Sequence, residues 1–115
     1  MIRIKRSYEP VDEQDGARFL IDRLWPRGIA KKDFQLTAWM KEVAPSQALR
    51  QWFHHDTDRW EEFRKRYLVE LEQKPETWQP ILQAARLGNV TLLFSARDRE
   101  HNNALILKEF LEERM

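Results

Sequence analysis

Residues 90–94 read VTLLF, an apolar run bounded by Gly88-Asn89 on one side and by Ser95 on the other. A strand that is apolar on both faces is typical of a parallel sheet covered from both sides. The run FLI at residues 19–21 has the same character, and it lies in a segment, residues 17–24, that ends before Pro26. Near the N-terminus, Ile2 and Ile4 alternate with basic residues, as in a half-buried strand. The sequence therefore predicts three strands.

Five segments carry apolar residues at helical spacing. The first covers residues 37–44 and ends before Pro45, and the last begins at about Asn103. Ser46 is predicted to cap the second helix, and Gly88 is predicted to end the fourth in a left-handed conformation. The apolar stripes are Trp39, Met40 and Val43; Leu49, Trp52 and Phe53; Trp60, Phe63, Tyr67 and Leu71; Trp78, Ile81, Leu82 and Ala85; and Ile106, Leu107, Phe110 and Leu111.

The order of strands and helices indicates an α/β protein, because strands joined through helices are generally parallel with right-handed crossovers. We predict a small three-layer domain in which a short, mostly parallel sheet is flanked by helices. Strands 17–24 and 90–94 are expected to be parallel neighbours, and a short extra strand is expected near residues 29–36. A chain of 115 residues fits one domain, residues 1–115.

Composition excludes several classes of protein and site. The chain has no cysteine, so it has no disulfides, thiolate metal sites or thiolate nucleophiles. Its formal net charge of +1 does not favour a uniformly basic nucleic-acid-binding surface. No apolar run is long enough to span a bilayer or to serve as a secretory signal. We expect a cytoplasmic protein without membrane contact or a cofactor; the sequence leaves the oligomeric state open.

The first candidate motif is DRLWPRG at residues 22–28, which leaves the second strand at its C-terminal end. Ligands bind at that edge of open parallel sheets. Two arginines and a glycine turn can offer paired N–H donors to a phosphate or carboxylate. In the alternative interpretation, Asp22 and Arg23 only pair with charges on helices and Trp25 belongs to the core. The candidate residues are Asp22 as an acid or base, with Arg23, Trp25, Arg27 and Gly28 binding the ligand.

The second motif, SARDREHNN at residues 95–103, also follows a strand, and it runs into a helix N-terminus that favours anions. Asp98, His101 and Asn102 each have an alternative role as a plain N-cap. If the two strands are neighbours, this motif and the first one open on a single cleft. The candidates here are Asp98 and His101 for catalysis, and Ser95, Arg97 and Asn102 for ligand binding.

The adjacent histidines His54 and His55 form a third candidate. They are not expected to chelate one metal ion, because neighbouring side chains point in different directions. We therefore predict no metal site, although one of the two can line the cleft. The chain also lacks a G-x-S-x-G elbow, a Walker loop, a G-x-G-x-x-G turn and zinc-finger spacing.

The strings DRLWPRG at 22–28, WMKEVAPSQALRQWFHHD at 39–56 and LLFSARDREHNNA at 92–104 together resemble the YeaO-like branch of domain of unknown function family 488. The resemblance begins at KRSYEP, residues 5–10, and spans nearly the whole chain. It implies a compact bacterial α/β domain and adds no substrate, because the family has no settled activity.

The leading functional hypothesis is a small enzyme, a hydrolase or group transferase, that acts on a phosphorylated or nucleotide-type ligand. Arg23, Arg27 and Arg97 would clamp the anion, Asp98 or Asp22 would act as acid or base, and His101 would orient groups or relay protons. The alternative is a non-catalytic module for a nucleotide or single-stranded nucleic acid, with aromatic rings stacking on bases. Nucleic acid is the less favoured partner, and a protein-binding role without any ligand is a third possibility.

Overall fold

The computed structural model describes residues 1–115 and contains a four-stranded sheet with four α-helices. The spatial order of the strands is β1-β4-β2-β3, and every neighbouring pair is parallel. The predicted α/β class is confirmed, and so is the parallel pairing of the second strand with residues 90–94. The strands are β1 (Ile2–Arg6), β2 (Ala17–Leu20), β3 (Ala38–Trp39) and β4 (Val90–Phe94), and the helices are α1 (Gln47–Phe53), α2 (Trp60–Gln73), α3 (Pro75–Leu87) and α4 (Asn103–Glu112).

Strand β4 is the centre of the molecule because it pairs with β1 on one side and β2 on the other. All five of its residues are buried. Val90, Leu92 and Phe94 face the larger apolar core, to which all four helices contribute side chains. Burial of these side chains removes apolar surface from water, which is the main force that holds the helices against the sheet.

The opposite face of the sheet is covered by an irregular segment. Leu93 and Leu20 pack there against Phe34, and the rings of Trp25 and Trp39 complete this smaller cluster. Trp25 meets both Phe34 and Trp39 edge to face, with ring centroids 5.4 Å apart in each pair. The segment between β2 and β3 thus forms the layer on this face of the sheet.

A charged cluster lies on the same face beside β1. The buried Asp15 carboxylate accepts a hydrogen bond from Arg18 and bonds of 3.0 Å from Lys5 Nζ, and Arg3 approaches to 3.4 Å. Because a buried carboxylate is costly unless it is paired, these contacts make its burial possible.

Residues 37–44 do not form the predicted helix. The Thr37 N–H donates to Arg18 O at 2.7 Å and the Met40 N–H donates to Leu20 O at 2.8 Å, so that the chain lies alongside β2 as strand β3. Only Lys41–Val43 forms a 3-10 turn. The extra strand therefore exists, but at Ala38–Trp39 rather than within residues 29–36.

One other predicted boundary and one predicted backbone conformation differ from the structure, and one predicted cap is confirmed. Strand β2 ends at Leu20 rather than at Leu24, because the chain turns away from β4 after the Ile21 N–H donates to Leu93 O at 3.1 Å. Gly88 ends α3 in an extended conformation with φ 176°, not in a left-handed one. Ser46 is the N-cap of α1, since its side-chain oxygen accepts from the Leu49 N–H at 3.2 Å. None of the helices is both long and apolar enough to cross a membrane.

Candidate functional site

A cleft of about 370 Å³ lies where β2 and β4 end, between the segments that leave these two strands. Because the strands are parallel neighbours, both segments start from the same edge of the sheet. Most of the candidate residues line this cleft, namely Asp22, Arg23, Trp25, Arg27, Ser95, His101 and Asn102. Gly28, Arg97 and Asp98 do not line it; Gly28 instead forms the turn after Arg27, with φ 80°.

Three arginines line the cleft. Arg23 is partly engaged by the protein, because its guanidinium donates at 3.4 Å to the carbonyls of Ala44 and Pro45. Arg27 and Arg50 are exposed, and their guanidinium groups make no hydrogen bond or ion pair with the protein. Two free guanidinium groups therefore face a cavity whose lining includes one carboxylate, that of Asp22.

Asp22 joins the two segments that form the cleft. Its carboxylate accepts the Ser95 N–H at 2.9 Å and the Asn103 Nδ2–H at 3.3 Å. Burial raises the pKa of Asp22 above its usual value, while the hydrogen bonds from Ser95 and Asn103 and the charge of Arg50 oppose the rise. Asp22 thus cross-links the segments that follow β2 and β4, and it is the half-buried carboxyl group of the cleft.

Asp98 holds His101 in place. Its Oδ1 accepts the backbone N–H groups of Glu100 at 2.9 Å and of His101 at 3.0 Å, and its Oδ2 lies 2.9 Å from His101 Nδ1. These bonds, that from Glu100 foremost, lower the pKa of Asp98. The imidazole also meets Trp60 edge to face, with centroids 5.2 Å apart. When Nδ1 donates to Asp98, Nε2 is the ring nitrogen left to meet a ligand.

Asn102 is the N-cap of α4. Its Oδ1 accepts the Leu105 N–H at 2.9 Å and its Nδ2 donates to Asp98 O at 3.0 Å, so both ends of its amide are engaged within the protein. The capping interpretation therefore holds for Asn102, whose place in the cleft wall brings the α4 N-terminus to the site. The partial positive charge of a helix N-terminus adds to that of the arginines.

Trp25 lies in both of the places considered for it. It lines the cleft, and it also belongs to the apolar cluster on the second face of the sheet. Its indole N–H donates to Ile29 O at 2.6 Å, which fixes the ring and leaves it no free polar group. Trp25 can therefore offer a ligand only an apolar surface.

Several residues of the cleft were not among the sequence candidates, including Tyr8, Arg50, Phe63 and Asn103, and the sequence left open whether His54 or His55 lines it. One signal was available for Arg50, since it precedes Phe53 by three residues and so shares a face of α1 with a side chain of the cleft. His55 is the histidine that lines the cleft. Both His54 and His55 have left-handed backbones, with φ 44° and 56°.

Comparisons with known proteins identify the family of the chain. A family model described as the inactive DUF488-N3 subclade matches residues 1–115. The chain is 43% identical over 110 residues to the uncharacterized protein YeaO of Escherichia coli K12, covering 96% of each chain. It is 37% identical over 113 residues to the uncharacterized protein Rv3073c of Mycobacterium tuberculosis, covering 98% of this chain and 95% of that one. No solved structure matches the chain significantly.

Proposed function

Since the chain belongs to the inactive DUF488-N3 subclade, we propose that its cleft is a non-catalytic binding site for one phosphate-bearing ligand of nucleotide type. The description of the subclade as inactive favours binding without turnover over the enzyme hypothesis. Arginine side chains and a helix N-terminus can hold an anion without any catalytic group.

The observation that carries the proposal is the pair of guanidinium groups, Arg27 and Arg50, that face one cleft without a protein partner. Arginine offers a fork of N–H donors that matches phosphate oxygens, and such charge-assisted bonds are stronger than neutral ones. Asp22 does not compete strongly for these groups, because Ser95 and Asn103 already donate to it. A phosphate would complete a site whose donors are already in place.

The rest of the wall favours a ligand with an aromatic ring. The exposed Tyr8 and the half-buried Trp25 line the cleft, together with the buried Phe53 and Phe63, whose rings stack on each other with centroids 4.3 Å apart. Small-molecule sites are generally apolar clefts of about 300–1,000 Å³ with a few polar groups that fix orientation. A cleft of about 370 Å³ is at the small end of that range, which suits a single nucleotide.

The experiment is a thermal-shift screen with inorganic phosphate, pyrophosphate, sugar phosphates and nucleoside monophosphates. A ligand held at 100 times its dissociation constant adds about 2.7 kcal/mol to the free energy of unfolding, which raises the melting temperature measurably. We expect a nucleoside monophosphate to give the largest rise.

Two variants and one control make the screen specific. Arg27→Ala and Arg50→Ala should each abolish the rise. Arg27→Ala should also leave the melting temperature of the free protein unchanged, because its guanidinium group has no partner in the protein. Lys65→Ala is the matched control, since Lys65 is an exposed, unpaired cation on α2 outside the cleft. No rise with any ligand, or an equal loss in Lys65→Ala, would refute the proposed site.

A second candidate function is hydrolysis or group transfer on the same ligand, and the pairing of Asp98 with His101 at 2.9 Å favours it. Proton transfer by such a positioned pair is typically worth about 10² to 10⁴ in rate. The ligand identified in the screen can be incubated with the protein and its products measured. Turnover that falls by this factor in Asp98→Asn while binding persists would support catalysis; the absence of products supports the binding module.

A further inference from the structure

Tyr8 forms an aromatic platform at the mouth of the cleft. Its side chain is 46% exposed even though it lines the cavity. The guanidinium carbon of Arg6 lies 5.1 Å from the centre of its ring, and its hydroxyl donates to Arg27 O at 3.0 Å. The ring is thus fixed beside Arg27, is backed by a cation and is open to solvent.

Further cations lie on the rim next to this platform. Arg6 donates to the carbonyls of Ser95 and Ala96, which brings the segment before Arg97 against the same rim. Arg97 is exposed and its guanidinium group has no partner in the protein. Arg99 pairs with Glu9 at 3.3 Å, and Glu9 also accepts the Arg6 N–H, so the nearby carboxylate is already engaged.

We propose that the cleft holds the terminal nucleotide of a single-stranded nucleic acid, that the next base stacks on Tyr8 and that the next phosphate meets Arg97. This inference rests on the proposed function, because it takes the cleft as the site of the first nucleotide. Exposed aromatic rings interleaved with cations are the means by which proteins bind single strands without reading their sequence. A duplex would not fit, because its bases are stacked on each other and cannot lie on Tyr8.

The small net charge of the chain does not argue against this site, because the free arginines are concentrated at one place. The chain carries 20 basic and 19 acidic side chains, so its total charge does not favour binding of a long strand along the whole surface. Arg27, Arg50 and Arg97 are free at one cleft and its rim, which is enough for the phosphates of about two nucleotides. The predicted ligand is therefore a strand end and not the body of a strand.

The test compares thymidine monophosphate with a linear pentathymidylate that carries a phosphate on one end and a fluorophore on the other. Binding of the pentamer is measured by fluorescence anisotropy. The affinity of the monophosphate is measured by its competition with the labelled pentamer. One stacked base is worth about 1–3 kcal/mol, so the pentamer should bind about tenfold or more tightly than the monophosphate. Pentamers phosphorylated at the 5′ or the 3′ end identify which terminus enters, and ribo versions show whether RNA or DNA is preferred.

Arg97→Ala isolates the contact with the second phosphate. It should weaken the pentamer severalfold, leave thymidine monophosphate unchanged and flatten the slope of log affinity against log salt by about 0.7. Tyr8→Ala should lower pentamer affinity about tenfold and Tyr8→Phe should restore it, because the stacking surface remains. Lys65→Ala should leave the affinity for both ligands unchanged.

The outcomes separate this inference from the proposed function. Equal affinities for monophosphate and pentamer, with no effect of Arg97→Ala, would overturn the strand contact and leave the nucleotide site standing. A circular oligothymidylate that binds as tightly as the linear pentamer would overturn the requirement for an end. If neither ligand binds, both proposals fail.

Discussion

His54 and His55 are consecutive residues with left-handed backbones, at φ 44° and 56°, yet only His55 lines the cleft. Such a conformation costs a residue with a Cβ about 1–3 kcal/mol, and it persists where the surroundings impose it. His54 is exposed and directly follows α1, where glycine is the usual residue. Substituting each histidine in turn therefore distinguishes the conformational cost of this turn from the contribution of an imidazole to ligand binding.

We expect His54→Gly to raise the free energy of unfolding by about 0.5–1 kcal/mol, because glycine adopts the left-handed region without strain. His55→Gly should stabilise the protein similarly but should weaken nucleotide binding, which His54→Gly leaves intact. Urea denaturation measures the first effect and ligand titration the second. Equal nucleotide affinity in the two variants would show that the His55 imidazole does not contact the ligand.

At the residue scale, the sequence was enough to predict those cleft residues that follow the strands in the chain. Asp22, Arg27 and Ser95 come just after strands, and parallel strands bring such residues to one edge. His55 reaches the cleft through a turn of two left-handed residues, which no residue type here signals. The same order of elements predicted that Arg97 and Asp98 line the cleft, but neither does. The Asp98 side chain instead turns back and accepts the backbone N–H groups of Glu100 and His101.

At the scale of elements, the difference between residues 37–44 and their prediction has a physical cause. The spacing of Trp39, Met40 and Val43 suits one turn of helix, but a helix of this length gains little from its own hydrogen bonds. Pairing with β2 gives the backbone inter-strand hydrogen bonds, and the Trp39 indole N–H gains a further bond with Asp22 O at 2.7 Å. Tertiary contacts thus outweigh local periodicity, whereas the longer stripes of α2 and α3 were predicted correctly.

The junction between the start of β2 and the start of β4 makes a sharp prediction at Gly16. This residue has φ 63°, and a Cβ there would lie 2.0 Å from the carbonyl oxygen of Asn89, which accepts the Ala17 N–H. Gly16→Ala should lower the free energy of unfolding by at least about 2 kcal/mol, through clash and strain together. Chemical denaturation provides the measurement.

Gly88→Ala is the matched control, because its φ is 176° and no atom beyond the adjoining residues and its own helix lies within 4 Å of the position that a Cβ would take there. It should change stability little. A loss in Gly88→Ala as large as that in Gly16→Ala would contradict the role of the close approach to Asn89.

At the scale of the whole molecule, the two faces of the sheet differ in how firmly they are covered. Helices pack on one face, while the segment between β2 and β3 covers the other with a smaller apolar cluster. Local opening needs less free energy where few apolar contacts and short pairings hold the chain. Strand β3 has two residues, whereas β4 has five, and four of these pair with strands on both sides.

We expect hydrogen exchange to follow this difference. Amides of Val90–Phe94 should exchange only through global unfolding, with the slowest rates in the protein, while Met40 and Thr37, whose N–H groups hold β3 to β2, should exchange through local opening. Exchange resolved by residue provides the measurement. Equally slow exchange in β3 and β4 would show that the two faces open as one cooperative unit.

The position of β4 has a consequence for how the protein is made. Strands β1 and β2 do not pair with each other; each pairs with β4, in which Val90 lies opposite both Ile2 and Ala17. During synthesis these two strands therefore cannot complete the sheet until residues 90–94 have left the ribosome. Pairings so distant along the chain form slowly, and uncovered apolar strands attract other chains. The growing polypeptide is thus most in need of a chaperone just before its central strand emerges.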